Sequence, residues 1–353
     1  MATKAVAAAT GQAERRARPT VIVGVLAALL LVVSTVSVTA GSASIDAGMV
    51  WRIVLDSVLP GVVAADWTAG QERIVLDLRL PRILLGILVG AGLATVGTVL
   101  QAVTRNPLAD PYLFGVSAGA SVGAVAVIVH LGDAVGVLTL PLAAFAGAAS
   151  SLVLVLAAAT TPTGISRERL LLAGVAVSFV LMAVTNFLIF SGDQRAAHAV
   201  VFWMLGGLGL ARWDFLPLPA VVVGAGLLGL ALTSRTLDAL LLGDETAQSL
   251  GVPVARTRVV LFAVCALLTG TLVALAGAIG FVGLMVPHIA RRLVGGRHRV
   301  MLPVAALSGA LLVVTVDILA RTALSPQELP LGIITGAVGG FFFIWLLRRR
   351  IEM

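Results

Sequence analysis

The sequence predicts an all-α fold: a polytopic membrane protein of about ten transmembrane helices in a single domain. Three observations lead there. Hydrophobic residues make up 59% of the 353-residue chain and charged residues only 12%, about half the charged fraction of a soluble domain. The apolar residues gather in ten runs, most of them near the roughly 20 residues an α-helix needs to cross a bilayer. Glycine occurs 38 times, and small residues let membrane helices pack closely.

The elements follow in order. Residues 1–20 form a basic tail with Lys4, Arg15, Arg16 and Arg18, and Val21–Thr39 is the first span. A basic start, an apolar run and Val38-Thr39-Ala40 also fit a cleaved signal peptide; the uncleaved span is the preferred reading. Ile83–Val103, Tyr112–Leu131, Val135–Thr160, Leu170–Ser191 and Phe215–Thr233 are the next five spans. Val259–Gly277 and Ile279–Leu293 share only 35 residues, short of the roughly 40 that two full crossings need. Gly277, Gly280 and Gly283 therefore predict a reversal inside the protein and a short eighth helix, with neighbouring protein covering the irregular backbone. Met301–Leu319 and Leu331–Leu347 complete a membrane domain over 21–347, and 348–353 is a basic C-terminal tail.

Arginine sets the expected orientation. With the N-terminus in the cytoplasm, 17 of the 24 basic residues fall on the cytoplasmic side, among them Arg105, Arg169, Arg235, Arg256, Arg258 and Arg348. The opposite topology violates the positive-inside bias, so both termini are expected in the cytoplasm. The net charge of +7 is spread over loop ends, which suits a membrane-lipid surface and argues against a nucleic-acid partner.

Several chemistries are excluded. Lys4 is the only lysine, so no G-x-x-x-x-G-K-[ST] phosphate loop exists, and if transport is driven by ATP with its magnesium, a separate chain must hydrolyse it. The histidines (His130, His198, His288 and His298) lack metal-site spacing, and the lone Cys265 allows no disulfide framework. The spans hold almost no ionisable groups away from their ends, which disfavours the alternative, an ion-coupled secondary transporter. An enzyme has no visible seat, and no bound cofactor is expected.

The loop over 234–258 carries a candidate for force transmission. In Gly243-Asp244-Glu245-Thr246-Ala247-Gln248-Ser249-Leu250-Gly251-Val252-Pro253, Asp244 is expected as an N-cap, with Asp244 and Glu245 at the positive end of the helix dipole. Gly251 and Pro253 stop the helix after about two turns.

Elsewhere the informative stretch is Arg105-Asn106-Pro107-Leu108-Ala109-Asp110-Pro111, a tight reversal between spans two and three. Proline ends the incoming helix, and Asn and Asp bond their own backbone. With Gln101 before it and Leu113-Phe114-Gly115-Val116-Ser117-Ala118-Gly119-Ala120 after it, this stretch resembles the permease subunits of FecCD-type ABC importers. Leu78-Arg79-Leu80-Pro81-Arg82, Phe202-Trp203-Met204-Leu205-Gly206-Gly207, the run from Gly277 to Arg291, and Glu328-Leu329-Pro330-Leu331-Gly332 are similar to that family too. Arg297-His298-Arg299 departs from its frequent Asp-His-Arg triplet.

The resemblance implies a homodimer with two ATP-binding subunits, an extracytoplasmic substrate-binding protein and a metal-chelate cargo: ferric siderophore first, haem or cobalamin as the others. Gly243, Asp244, Glu245, Ala247, Leu250 and Gly251 would couple to the ATPase. Arg79, Arg82 and Arg321 would receive glutamates of the binding protein, with guanidinium forks matched to carboxylates. Asp317, one turn before Arg321, suggests a local pair instead. Gln101, Ser178, Asn186, Trp203 and Met204 are candidates for the path, and Ser166, Arg167 and Glu168 for an inner gate.

Overall fold

The computed structural model describes residues 19–41, 45–132, 134–160 and 167–351. These residues form helices and turns, with a single isolated β-bridge between Leu324 and Gln327. In chain order the helices are α1 (Pro19–Thr39), α2 (Ala47–Val58), α3 (Ala69–Thr104), α4 (Val116–Ala126), α5 (Thr139–Ala159), α6 (Arg167–Phe190) and α7 (Gln194–Met204). There follow α8 (Pro217–Leu232), α9 (Ser234–Leu241), α10 (Asp244–Ser249), α11 (Val254–Ala276), α12 (Val282–Val294), α13 (His298–Thr322) and α14 (Leu331–Ile351).

Among the described residues, eight helices are long and apolar enough to cross a membrane: α1, α3, α5, α6, α8, α11, α13 and α14. The other two expected crossings are shorter. The third is α4 with its π-helical extension to Leu131, and the eighth is the 13-residue α12. The region between the first two spans, where hydropathy marks no crossing, contains α2 and the first turns of α3. Asp46 caps α2 by accepting from the Gly48 and Met49 amides, and Thr68 with Gln71 forms a reciprocal capping box at the start of α3.

Helix α3 is the buried axis of the bundle, packed between α13, α11 and α12. Its first turns widen to π-helix over Ile74–Arg79, where the Leu80 amide bonds Val75 O. Pro81 explains the widening: it has no N–H to give, and its ring clashes with the carbonyl four residues back. Glycine sets two of the crossings. A Cβ on Gly90 would lie 2.2 Å from Gly309 O on α13, and one on Gly97 would lie 1.9 Å from Gly283 O on α12. Backbones can meet so closely only without side chains.

The reversal between α11 and α12 occurs inside the protein, as the glycines suggest. Gly277 takes φ +64°, and a Cβ there would stand 2.2 Å from Trp203 O. Phe281 adopts φ +67° just before α12, a conformation that costs an aromatic residue about 1 kcal/mol or more. Its ring occupies the space a Cβ on Gly339 would need. The irregular backbone is paired: the Gly207 amide donates to Ala276 O at 2.8 Å, Leu331 to Gly206 O and Gly332 to Leu205 O, both at 2.9 Å. Protein thus supplies the cover that lipid cannot.

Candidate functional site: two polar ends and a cleft between them

The 25-residue stretch Leu80–Thr104 of α3 spans about 37 Å at 1.5 Å per residue and carries a polar cluster at each end. At its start, Asp317 of α13 is almost fully buried and is held by two arginines, with Arg82 Nε 2.9 Å from Oδ1 and Arg321 Nε 2.9 Å from Oδ2. Arg82 Nη1 also lies 2.9 Å from Glu328 Oε2. Arg321 donates to Ser37 O at 3.0 Å, Ser37 Oγ at 2.7 Å and Ala40 O at 2.7 Å. Arg79 donates to Val38 O and, at 3.2 Å, to Thr39 O.

Two buried guanidinium groups therefore satisfy the carbonyls left over at the end of α1, where intrahelical partners run out. The sequence places Arg79 and Arg321 at water-facing span ends; the structure corrects this, with 7% and 8% of their surface exposed. The local Arg321–Asp317 pair expected from their i,i+4 spacing is present. All three predicted docking arginines nevertheless line one polar cleft of about 370 Å³, together with Gly41, Pro326 and Glu328.

At the far end of α3, Arg105 takes a left-handed φ of +52° and ends the helix. Asn106 Oδ1 accepts from the Leu108 amide at 2.9 Å and Asp110 Oδ1 from the Tyr112 amide at 2.9 Å, which is the self-bonding expected of this turn. Burial pushes the Asp110 carboxyl up to about 6, against the opposing effect of the Tyr112 amide bond.

Asp244 is gripped from both sides at this end, with Arg105 Nη2 at 3.1 Å and Arg258 Nη2 at 3.1 Å. The N-cap position of α10 belongs to Gly243, at φ +121°, so Asp244 is a first-turn anchor rather than the expected cap. Ala247 is fully buried beneath α10, while Glu245 and Leu250 are exposed, Leu250 at 63%. The Val252 amide returns to Ala247 O at 3.0 Å past Gly251, which takes φ +83°. Preceding helix α9 is fastened separately: Asp238 Oδ1 accepts from the His298 amide at 3.0 Å and lies 2.6 Å from His298 Nδ1. The departure at Arg297-His298-Arg299 thus keeps the histidine that clamps α9 to α13.

Between the two ends, a cleft of about 400 Å³ opens beside α6. It brings together Ser178, Asn186 and Met204 of the predicted path with Tyr112, Ser117 and Ser121, which the sequence reading did not select. Ser117 and Ser121 stand one turn apart in the Gly/Ala-rich α4, a spacing that could have signalled a shared face. Gln101 and Trp203 lie elsewhere. Gln101 is buried, with Nε2 donating to Gly283 O at 3.3 Å, and so fastens α3 to α12. Trp203 lines a second cavity of about 370 Å³ alongside Arg82 and Glu328. Of the predicted gate, Glu168 is exposed in the first turn of α6, whereas Ser166 and the side chain of Arg167 lie outside the described residues.

Comparison with known proteins decides what such a bundle is. The FecCD transport family model matches residues 29–349. The chain belongs to the FecCD transport family. Three relatives bracket this FecCD chain. It is 47% identical over 79% of its length to the cobalamin import system permease protein of Halobacterium salinarum, of which 74% is covered. It is 36% identical over 96% to the hemin transport system permease protein of Yersinia pestis, covering 98% of that protein. Its identity to the ferric dicitrate transport system permease protein FecD of Escherichia coli is 40%, over 85% of this chain and 90% of that one.

A solved structure described as an inward-facing conformation of a metal-chelate type ABC transporter superposes with a TM-score of 0.81 at 30% identity. It covers 94% of this chain and all of the other. The FecCD chain is accordingly a multi-pass permease subunit of an ABC importer, a transport component rather than an enzyme.

Proposed function

We propose that this FecCD permease carries a ferric chelate, a siderophore complex before haem or cobalamin, into the cytoplasm by alternating access. ATP is hydrolysed on separate subunits. The observation that carries the proposal is the continuous, buried helix α3, with the three-arginine cleft at one end and Arg105 on Asp244 at the other. A binding protein docking at the first end and an ATPase gripping α10 at the second would push on the same rod. Relatives that import cobalamin, hemin and ferric dicitrate support a metal-chelate cargo.

The same reading puts the chain in the bacterial inner membrane with both termini and α10 in the cytoplasm. It works as a homodimer: α6 exposes Phe179, Met182 and Phe187 beside the central cleft, and a second copy facing that side would enclose a path between the two clefts.

Proteoliposomes holding this chain, its ATPase and its binding protein test the function, with radiolabelled ferric siderophore, hemin and cobalamin offered in parallel. ATP-dependent accumulation is expected, strongest for the ferric siderophore and absent with a non-hydrolysable nucleotide. Accumulation driven by a proton or sodium gradient without the ATPase would overturn the reading in favour of a secondary transporter.

A further inference from the structure

Arg82 has two carboxylate partners of very different character. Asp317 is buried, with 2% of its side chain exposed, and is held at the same time by Arg321. Glu328 meets Arg82 from the other side, with Oε1 at 3.1 Å and Oε2 at 2.9 Å from Nη1, yet 51% of its side chain is exposed. The first partner is fixed by burial, since separating it would strand a charge. The second is a half-solvated pair of the kind worth only about 0–1 kcal/mol. Arg82 is thus permanently anchored through Nε and exchangeably occupied through Nη1.

Glu328 also begins a short segment wired to the middle of the bundle. The next residue, Leu329, donates its amide to Ala320 O at 2.9 Å, close to Arg321. Leu331 and Gly332 donate to Gly206 O and Leu205 O. These carbonyls immediately follow α7, whose last residue, Met204, lines the central cleft. Arg82 and Glu328 stand on the boundary between two cavities, the arginine cleft and the roughly 370 Å³ space behind Trp203, Gly206 and Leu331. The second cavity leaves room for the segment after α7 to shift.

We infer that Glu328 is a resident competitor for the docking carboxylate: it holds Arg82 while the cleft is empty and gives it up when a glutamate of the binding protein enters. Exchange of one carboxylate for another leaves the charge balance on Arg82 unchanged, so its cost is small. Its consequence is that Glu328 is released and the 328–332 segment loses its tie to α3. The hydrogen bonds to Leu205 and Gly206 then carry the displacement to α7 and Met204. Glu328 is a positioning residue in this scheme, acting through Arg82 and not on cargo. The inference rests on the docking reading of the arginine cleft.

The test uses the importer assembled with its ATPase in nanodiscs and the binding protein that co-purifies with that importer. Glu328→Gln removes the competing charge without changing the shape. It should tighten binding-protein affinity by roughly fivefold, as expected for an ion pair of this exposure, and should raise ATP hydrolysis in the absence of binding protein. Glu328→Asp, which keeps the charge but withdraws it from Arg82, should fall between the two. Unchanged or weakened affinity in Glu328→Gln together with unchanged basal hydrolysis would overturn the inference, as would a lowered melting temperature with no change in either readout. Arg82→Gln separates the two readings. If docking holds but the competition does not, Arg82→Gln weakens binding while Glu328→Gln leaves it alone; if docking itself fails, neither variant moves the affinity.

Discussion

Replacing Arg321 with glutamate is expected to cost the folded permease about 3–5 kcal/mol, the usual penalty for removing one member of a buried ion pair. Three losses coincide in that variant. Asp317 keeps only Arg82 and faces a new like charge one helical turn away, and Ser37 O and Ala40 O lose their donor. The end of α1 should loosen from the bundle as a result. Because unfolding of a membrane protein is commonly irreversible, the quantity to follow is the inactivation temperature of detergent-solubilised protein at a fixed heating rate. Arg321→Glu should lower it sharply or abolish folded yield, whereas Arg82→Glu, with a more open environment and an exposed second partner, should lower it less. An Arg321→Glu protein as heat-resistant as wild type would show that the buried network contributes nothing to the fold.

Changing the exposed face of α10 should have the opposite profile, leaving the fold intact and removing function. Leu250→Asp is expected to weaken ATPase co-purification by tenfold or more, equivalent to about 1.4 kcal/mol, since it would bury an unpaired carboxylate where an apolar side chain meets the partner. Glu245→Lys should have a smaller effect in the same direction. Neither residue packs inside the subunit, so the inactivation temperature should not move. Full-strength ATPase capture and unaltered uptake by Leu250→Asp would remove α10 from the coupling interface. Asp244 is unsuited to this experiment, because its two arginine partners make any substitution structural as well.

The parts of this protein that were legible in its sequence are those fixed by local chemistry. Hydropathy marks the long helices, and Pro107, Asn106 and Asp110 spell out their own turn. Gly277 and the short interval Val259–Leu293 announce an internal reversal because two full crossings cannot fit. What was hidden depends on partners far along the chain. Arg79 and Arg321 read as surface charges until the carbonyls at the end of α1, some forty and 280 positions away, are seen to receive them. The N-cap at Asp244 failed for a similar reason. The residue is an excellent cap by type, but Arg105 and Arg258 claim its carboxylate and Gly243 takes the cap position. Polarity and motif mark Gln101 and Trp203 as path candidates, but their orientations, towards α12 and towards the arginine end, are set by packing that no spacing rule encodes.

On the proposed function, α3 joins a docking cleft on one side of the membrane to a coupling helix on the other. Single-cysteine accessibility in intact cells tests it most directly, and the chain is well suited, since its only cysteine, Cys265, is buried. Cysteine should be placed at Ser325, beside the arginine cleft, and at Ser249 and Arg299, all exposed positions. Arg299 serves better than its neighbour His298, which is completely buried. An impermeant thiol reagent applied from outside should label position 325 and leave 249 and 299 unmodified until the membrane is opened. Labelling of 249 and 299 from outside, or of all three from the same side, would contradict the claim.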